Sequence, residues 1–195
     1  MPDGPDGVEL LTRFENVPFS RWHAKARIIV GSATFFDGFD SLSLAFALPV
    51  LIRLWNITPA ESGFLISSSY VGQIFGALFF SWFAEKYGRI RSATAAVALM
   101  SVMSLGCALS RNLAMLFAFR FVQGIGLGGE MPVAATYISE VSKARGRGKF
   151  FILYEMIFPI GLMAAGQIGA LIVPLFGWQI MLLLGGIPGL VIAFM

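Results

Sequence analysis

Six long apolar runs constrain the fold of this sequence more than any other feature. Each run is close to the ~20 residues that an α-helix needs to cross the hydrocarbon core of a bilayer. The polar segments between the runs are short, so consecutive helices are expected to be antiparallel. The runs predict transmembrane helices at about residues 28–51, 60–83, 92–110, 113–137, 150–174 and 178–195.

The composition agrees with an all-α membrane protein. Of the 195 residues, 57% are hydrophobic and only 13% are charged, whereas a soluble domain carries about a quarter charged residues. The sequence has one cysteine, Cys107, and one histidine, His23, which excludes a disulfide framework and a Cys/His metal cluster. We expect no cofactor, no metal and no nucleic-acid partner.

The sequence divides into a polar segment at residues 1–27 and a transmembrane bundle at residues 28–195. Residues 16–27 are expected to form a short interfacial helix that places Phe19 and Trp22 among the lipid headgroups. The acidic, proline-bearing start and the length of the first run argue against a cleaved signal peptide. The last run reaches the final residue without a polar stop, which favours a part of a longer chain.

The basic residues are distributed unevenly between the two ends of the predicted helices. Most lie in the N-terminal segment and in the loops after the second and fourth helices. Because cytoplasmic loops are enriched in lysine and arginine, the N-terminus is expected to be cytoplasmic. The cytoplasmic set is Arg13, Arg21, Lys25, Arg27, Lys86, Arg89, Arg91, Lys143, Arg145, Arg147 and Lys149, and the opposite set is Arg53 and Arg111.

Ionisable side chains also lie inside the predicted spans. Such a residue costs roughly 2.5–3.5 kcal/mol at the centre of a membrane helix, so each needs a partner or a water-filled cavity. Two interpretations stay open: a buried Asp–Arg pair that pins two helices together, or a polar pathway for a transported solute. The residues are Asp37 and Asp40 in the first helix, Arg120 and Glu130 in the fourth, and Glu155 in the fifth.

The spacing of these residues places them on shared helix faces. Asp37 and Asp40 are three residues apart and lie about 14–18 Å into their helix at 1.5 Å per residue. Arg120, Gln123 and Glu130 form a stripe on one face of the fourth helix. We therefore expect Arg120 to face both aspartates near the middle of the bilayer.

The stretch RFVQGIGLGGEMP, at residues 120–132, contains the Gly-x-Gly-x-x-Gly spacing of a dinucleotide-binding loop. That loop needs a preceding strand and an acidic residue about 20 positions later. Here the preceding apolar run is too long for a strand alone, and Glu140 follows after only about ten residues. Gly124 and Gly128 instead have the small-xxx-small spacing that lets another membrane helix approach closely.

A faint internal repeat relates the two halves of the chain. LPV at residues 48–50 and MPV at residues 131–133 align with an offset of 83, which places Asp37 on Arg120 and Asp40 on Gln123. GQIFGAL in the second helix likewise resembles GQI-GAL in the fifth. The pattern favours two three-helix units, related as the inverted repeats of transporters are.

Several motifs resemble those of the major facilitator superfamily. SWFAEKYGRIR, at residues 81–91, is similar to its G-x-L-a-D-r-x-G-R-[RK] signature between helices 2 and 3, although Ser81 and Ile90 depart from it. RFVQG in the fourth helix resembles the R-x-x-q-G motif, and Glu140 with Arg147-Gly148 resembles the E…RG element of sugar porters.

The first helix resembles a narrower group within that superfamily. DGFD, at residues 37–40, is similar to the D-G-[FY]-D element of aromatic acid:proton symporters and of niacin-type metabolite:proton symporters, and GGEMP is closer to the niacin type. The resemblance runs from about residue 20 to the end. It implies the six-helix N-terminal half of a twelve-helix fold, with the C-terminal six-helix half as a partner outside this sequence.

The resemblance implies a secondary active transporter in the lipid bilayer of a bacterial inner membrane. Its expected activity is proton-coupled symport of a small aromatic or pyridine carboxylate-like organic anion by alternating access. The implied residues are Asp37 and Asp40 for proton coupling, Arg120, Gln123, Glu130 and Asp40 for substrate binding, and Glu85, Arg89, Glu140 and Arg147 for a conformational latch.

Other functions remain open from the sequence. A sugar or other metabolite porter of the same superfamily would share the helices, and a scaffold or channel subunit would tolerate isolated membrane charges. A membrane enzyme is disfavoured. An intramembrane serine protease needs a membrane histidine, and an aspartyl protease needs aspartates on separate helices, whereas Asp37 and Asp40 share one.

Overall fold

The computed structural model describes residues 21–141 and 147–193. All regular structure in these ranges is α-helical, as the apolar runs predict. The helices are α1 (Arg21–Trp55), α2 (Pro59–Tyr87), α3 (Arg89–Ala108), α4 (Leu113–Val141), α5 (Arg147–Glu155), α6 (Ile157–Phe176) and α7 (Gln179–Ala193). Together, α5 and α6 cover the fifth predicted run, so the six runs correspond to six helical segments.

Local sequence signals set both ends of α2. At its start, the Thr58 hydroxyl accepts a hydrogen bond from the Glu61 backbone, and the Glu61 carboxylate accepts one from the Thr58 backbone. This capping box satisfies two amides that lack partners within the helix. At its end, Gly88 has a φ of 95°, which glycine adopts without steric cost. A turn of one residue therefore joins α2 to α3, and α3 begins at Arg89 rather than near residue 92.

Two helix boundaries differ from the sequence prediction. Residues 21–27 are continuous with α1, so no break separates them from the first span, and residues 16–20 lie outside the described residues. The fifth run is interrupted at Met156. Pro159 follows three residues later and has no backbone N–H to bond the carbonyl of Glu155, which accounts for the interruption.

Glycines bring two pairs of helices into backbone contact. A side chain on Gly124 or Gly128 of α4 would overlap the backbone of α2, and one on Gly72 of α2 would overlap that of α4. Between α1 and α6, Gly38 and Gly161 leave the same room for the opposing backbone. The interpretation of Gly124 and Gly128 as a packing surface is confirmed, because both lie within the continuous helix α4.

The helix contacts follow an internal two-fold pattern. The first unit comprises α1, α2 and α3, and the second comprises α4, α5–α6 and α7. The packing of α2 on α4 corresponds to that of α6 on α1, the packing of α3 on α4 corresponds to that of α7 on α1, and α3 packs on α7. Thus α1 packs mainly on helices of the second unit and α4 mainly on helices of the first, as two inverted repeats require.

Length and composition suit a membrane for most of the described helices. Four spans are long and apolar enough to cross a bilayer: Ile28–Trp55, Pro59–Tyr87, Arg89–Ala108 and Phe151–Phe176. Gln179–Ala193 is a shorter apolar helix. The remaining long helix, α4, contains Arg120, Glu130 and Glu140.

We expect the close contact of α2 with α4 to make Gly128 sensitive to a single added methyl group. Gly128→Ala places a Cβ against the backbone of Gln73, and overpacking of this kind costs about 1–3 kcal/mol of the free energy of unfolding. Gly63→Ala on α2 is the matched control, because its Cβ meets no atom within 4 Å. Thermal unfolding of the detergent-solubilised protein measures both variants, and equal midpoints would contradict the close approach.

Candidate functional site

A buried carboxylate, that of Asp40, is the centre of the polar contacts between α1 and α4. Its Oδ2 accepts a hydrogen bond from Gln123 Nε2 at 2.5 Å and lies 3.6 Å from Arg120 Nη1. Its Oδ1 accepts a hydrogen bond from Ser104 Oγ at 2.9 Å. Asp40, Gln123 and Arg120 are each at most 2% exposed, so the ion pair is shielded from solvent.

Neighbouring residues on α3 and α7 fix the orientation of this pair. The Ser104 hydroxyl also lies 2.9 Å from the carbonyl oxygen of Leu182 on α7. The Cys107 thiol lies 3.7 Å from Gln123 Oε1, which turns the amide nitrogen towards Asp40. Gly185 of α7 leaves room for the carboxylate, because a Cβ there would be 3.0 Å from Asp40 Oδ1. Four helices therefore meet at one side chain.

Apolar clusters lie on both sides of the Asp40 site. One contains Leu51, Leu116 and Leu182, towards the C-terminal end of α1. Another contains Ala33 and Leu127, towards its N-terminal end. These clusters separate the polar groups from solvent, which strengthens the electrostatic interactions between them.

Arg120 has more hydrogen-bond donors than its neighbours use. Only Nη1 approaches Asp40, and Nε and Nη2 have no hydrogen-bond partner among the described residues. An arginine guanidinium binds a carboxylate through two parallel N–H···O bonds. The arrangement therefore supplies a cation that is held from one side and has donors to spare for an anion.

A second polar cluster joins α1, α4 and α5 about two helical turns along α4 from Gln123. Thr34 Oγ1 donates to Glu130 Oε1 at 3.2 Å and lies 2.6 Å from the Tyr154 hydroxyl. The carboxyl group of Asp37 is close enough to that of Glu130, on the facing helix, for the two to interact electrostatically. Three carboxylate oxygens of this cluster accept no hydrogen bond from the described residues. They are both oxygens of Asp37 and Oε2 of Glu130. As far as the structure describes it, this cluster consists of carboxyl and hydroxyl groups and contains no cation.

The expectation that Arg120 faces both aspartates is wrong for Asp37. The helices α1 and α4 are antiparallel, so moving one turn back from Asp40 to Asp37 corresponds to moving forward from Gln123 towards Glu130. Asp37 thereby lies about 4.5 Å from Asp40 along α1, at 1.5 Å per residue, in the direction away from Arg120. Asp40 pairs with Arg120, and Asp37 faces Glu130.

The predicted latch residues are brought together only in part. Arg89 Nη2, at the start of α3, lies 3.4 Å from Glu140 Oε1, near the end of α4. Both side chains are partly exposed, Arg89 by 30% and Glu140 by 52%. Glu85 forms no ion pair with a side chain that the structure describes, and the side chain of Arg147 lies outside the described residues.

Sequence reasoning missed four residues of these two clusters: Thr34, Ser104, Cys107 and Tyr154. Each has a small or weakly polar side chain within an apolar run, and such residues are common in membrane helices without any specific role. One signal was present, since Thr34 precedes Asp37 by three residues and so shares its helix face. The contacts of Ser104 and Tyr154 depend on how the helices pack.

Two interlocked units of membrane-length helices surround an ion pair between α1 and α4. This is the architecture of half of a secondary transporter, in which the site lies between structural repeats. The chain belongs to the Major Facilitator Superfamily, whose sequence pattern matches residues 30–195. Family membership also confirms that the chain is not an enzyme of the membrane-protease kind.

Similar proteins include two named transporters of aromatic acids. The chain is 37% identical over 183 residues to the niacin transporter NiaP of Acinetobacter baylyi, covering 94% of this chain and 42% of that protein. It is 36% identical over 176 residues to the 4-hydroxybenzoate transporter PcaK of Pseudomonas aeruginosa, covering 90% and 39%. The chain thus spans about two fifths of the length of these relatives.

Solved structures show the same fold at low sequence identity. The xylose transporter XylE from E. coli, in an inward-open conformation, has a TM-score of 0.77 and 20% identity, covering 86% of this chain and 46% of that one. A bacterial homologue of the human lysosomal transporter Spinster has a TM-score of 0.79 and 17% identity, covering 91% and 43%. These matches confirm the predicted fold, the six-helix N-terminal half of a major facilitator protein.

We expect the loss of Arg120 to destabilise the protein through the charge that it leaves behind. Arg120→Leu removes the cation beside Asp40, and breaking a buried ion pair from one side costs about 3–5 kcal/mol. Adding Asp40→Asn removes the uncompensated charge and is expected to restore part of the loss. The matched control is Arg111→Leu, which changes an exposed arginine just before α4. Thermal unfolding that ranks the two single variants equally would refute the buried pair.

Proposed function

We propose that this chain is the N-terminal half of a proton-coupled symporter for small aromatic or pyridine carboxylates in a bacterial inner membrane, with its N-terminus in the cytoplasm. The observation that carries the proposal is the buried guanidinium of Arg120, which has two nitrogens free of partners among the described residues. The names of the relatives, a niacin transporter and a 4-hydroxybenzoate transporter, support the same class of substrate.

The substrate carboxylate binds Arg120 through Nε and Nη2, the two nitrogens that Asp40 does not approach. Both belong to one edge of the planar guanidinium, so they match the two oxygens of a carboxylate. A neutral sugar offers Arg120 no charge, which is why an organic anion is favoured over a sugar. Gln123 contributes by holding the carboxylate of Asp40 with its amide.

Coupling follows from the charge balance at Asp40. When Asp40 carries a proton, Arg120 loses its counter-ion, and a substrate carboxylate can take that place without changing the net charge of the site. When the substrate leaves, Asp40 releases the proton and pairs with Arg120 again. Each ligand therefore makes binding of the other more favourable, as symport requires.

Alternating access needs contacts that differ between conformations. The ion pair of Arg89 with Glu140 joins the ends of α3 and α4, next to the single-residue turn at Gly88. We assign to it, with Glu85 and Arg147 from the same motifs, the stabilisation of one conformation at the cytoplasmic ends of the helices. Because the pair is partly exposed, its contribution is modest, about 0.2–1 kcal/mol.

We expect Arg120→Gln to abolish the preference for a carboxylate over a carboxamide. In the full-length protein, nicotinate should inhibit uptake of labelled nicotinate at least tenfold better than nicotinamide does, since only the acid pairs with Arg120. Binding measured on the purified variant should show nicotinate weakened at least tenfold and nicotinamide little changed. Arg111→Gln is the matched control. Equal weakening of both compounds would argue against a charge contact with the substrate.

We expect the latch to respond to charge reversal in a reciprocal way. Arg89→Glu or Glu140→Arg alone places like charges together and is expected to change the transport rate several-fold, since about 1 kcal/mol corresponds to a factor of about five. The double reversal restores an attractive pair and should return the rate towards that of the parent. Arg91→Glu makes the same charge change two residues away and serves as the control. If the double variant behaves like the sum of the single ones, the pair has no role.

A further inference from the structure

We propose that Glu130 and Asp37 form a proton-binding site distinct from the Asp40–Arg120 pair, and that protons reach it from the cytoplasmic side through a cavity between α1, α3, α4 and α7. The proposal rests on the proposed proton-coupled function and divides it between two sites. Asp40 and Arg120 exchange partners with the substrate, and the Glu130–Asp37 pair exchanges a proton with the cytoplasm.

The carboxyl groups of Asp37 and Glu130 face each other, and this arrangement is favourable only when one of the two is protonated. Asp37 and Glu130 are each 1% exposed and lie within interaction range of one another. Two ionised carboxylates are both acceptors and repel each other, whereas a single proton between them forms a hydrogen bond. No other donor reaches either oxygen of Asp37 among the described residues. The shared proton is therefore the one partner available to Asp37 there.

The neighbouring charged and titratable groups do not neutralise this pair. Facing it are Asp40 and Arg120 towards the middle of the bundle, Tyr154 and Glu155 from α5, and Arg89 and Tyr137 along the cavity. The two cations among them are already paired, Arg120 with Asp40 and Arg89 with Glu140. Tyr154 supports only Oε1 of Glu130, through the hydroxyl of Thr34.

A cavity gives Glu130 a route towards one end of the bundle. Its volume is about 310 Å³, and its lining includes Glu130, Arg89 and Tyr137 among mostly apolar side chains such as Val30, Val97 and Ile192. It extends from Glu130 to Arg89 at the start of α3, which is the end of the bundle assigned to the cytoplasm. Asp40 does not line it. The apolar walls fit a carboxyl group that enters the cavity in its neutral form.

The proton balance of the cycle is simple. The pair with one shared proton carries one negative charge. When that proton passes to Glu130 and leaves through the cavity as the cytoplasmic pathway opens, the pair carries two. The second negative charge is removed when Asp37 takes up the proton that Asp40 releases as the substrate leaves. Thr34 and Tyr154 hold the Glu130 side chain in place during both steps.

The first test separates proton exchange from substrate binding in the full-length protein reconstituted in liposomes. Counterflow of labelled nicotinate does not require net proton movement, whereas uptake driven by a pH gradient does. Glu130 lies ten residues from Arg120, about 15 Å along α4 at 1.5 Å per residue, so the proposal assigns it to the proton and not to the substrate site that the resemblance implied. Glu130→Gln is therefore expected to keep counterflow near the parent rate and to lose gradient-driven accumulation at least tenfold. Glu155→Gln, which changes an exposed carboxylate nearby, is the control and should keep both.

Other outcomes of this test have definite meanings. Normal accumulation by Glu130→Gln, or an equal loss of counterflow and accumulation, would overturn the separate proton site. Absence of counterflow and accumulation in the parent protein, with nicotinate and with 4-hydroxybenzoate, would instead count against the proposed transport function. The second test does not depend on transport.

The second test labels the parent protein, so it does not depend on the folding of a variant. Dicyclohexylcarbodiimide adds to a protonated carboxyl group in an apolar environment and leaves a stable N-acylurea that mass spectrometry can locate. We expect the adduct on Glu130, decreasing as the pH is raised, and none on exposed Glu155. An adduct on Asp40 in place of Glu130, or no adduct on Glu130 at any pH, would refute the proposal.

Discussion

The packing at the centre of this bundle depends on keeping the guanidinium of Arg120 buried, where an unpaired charge is strongly unfavourable. A guanidinium between membrane helices must be neutralised and hydrogen-bonded, or it is destabilising by several kcal/mol. Asp40 supplies the opposite charge, and Ser104 and Gln123 hold that carboxylate with hydrogen bonds from two other helices. Since a slip of one residue in any of these helices would separate the donors from the acceptor, the ion pair also fixes the helix register.

Two kinds of contact divide the work of holding the bundle together. Where α2 meets α4 and α1 meets α6, glycines allow the backbones to touch, and these interfaces are tight. Where α1 meets α4, bulky polar side chains fill the space instead, and the contact is made by charge and hydrogen bonds. The tight interfaces hold the frame around the polar one, so the polar groups can change partners while the frame stays intact.

The sequence was sufficient for the helices and for the pairing of Asp40 with Arg120, because periodicity determines which residues share a face and burial demands a counter-ion. It was insufficient for Asp37, whose partner is decided by the antiparallel offset between two helices. The contribution of Tyr154 depends further on the break at Met156. Contacts of this kind arise between helices that are distant in sequence. No local pattern encodes how far one helix is shifted along the other.

The internal repeat gives the contact between Asp40 and Gln123 a particular meaning. The two residues occupy corresponding positions, 83 apart, and they are hydrogen-bonded to each other. Residues at corresponding positions of two repeats can touch only close to the axis that relates the two repeats. Two aspartates at such a pair of positions would repel each other. With an aspartate in one unit and a glutamine in the other, a hydrogen bond replaces that repulsion, so a difference between the two units at their axis stabilises the contact between them.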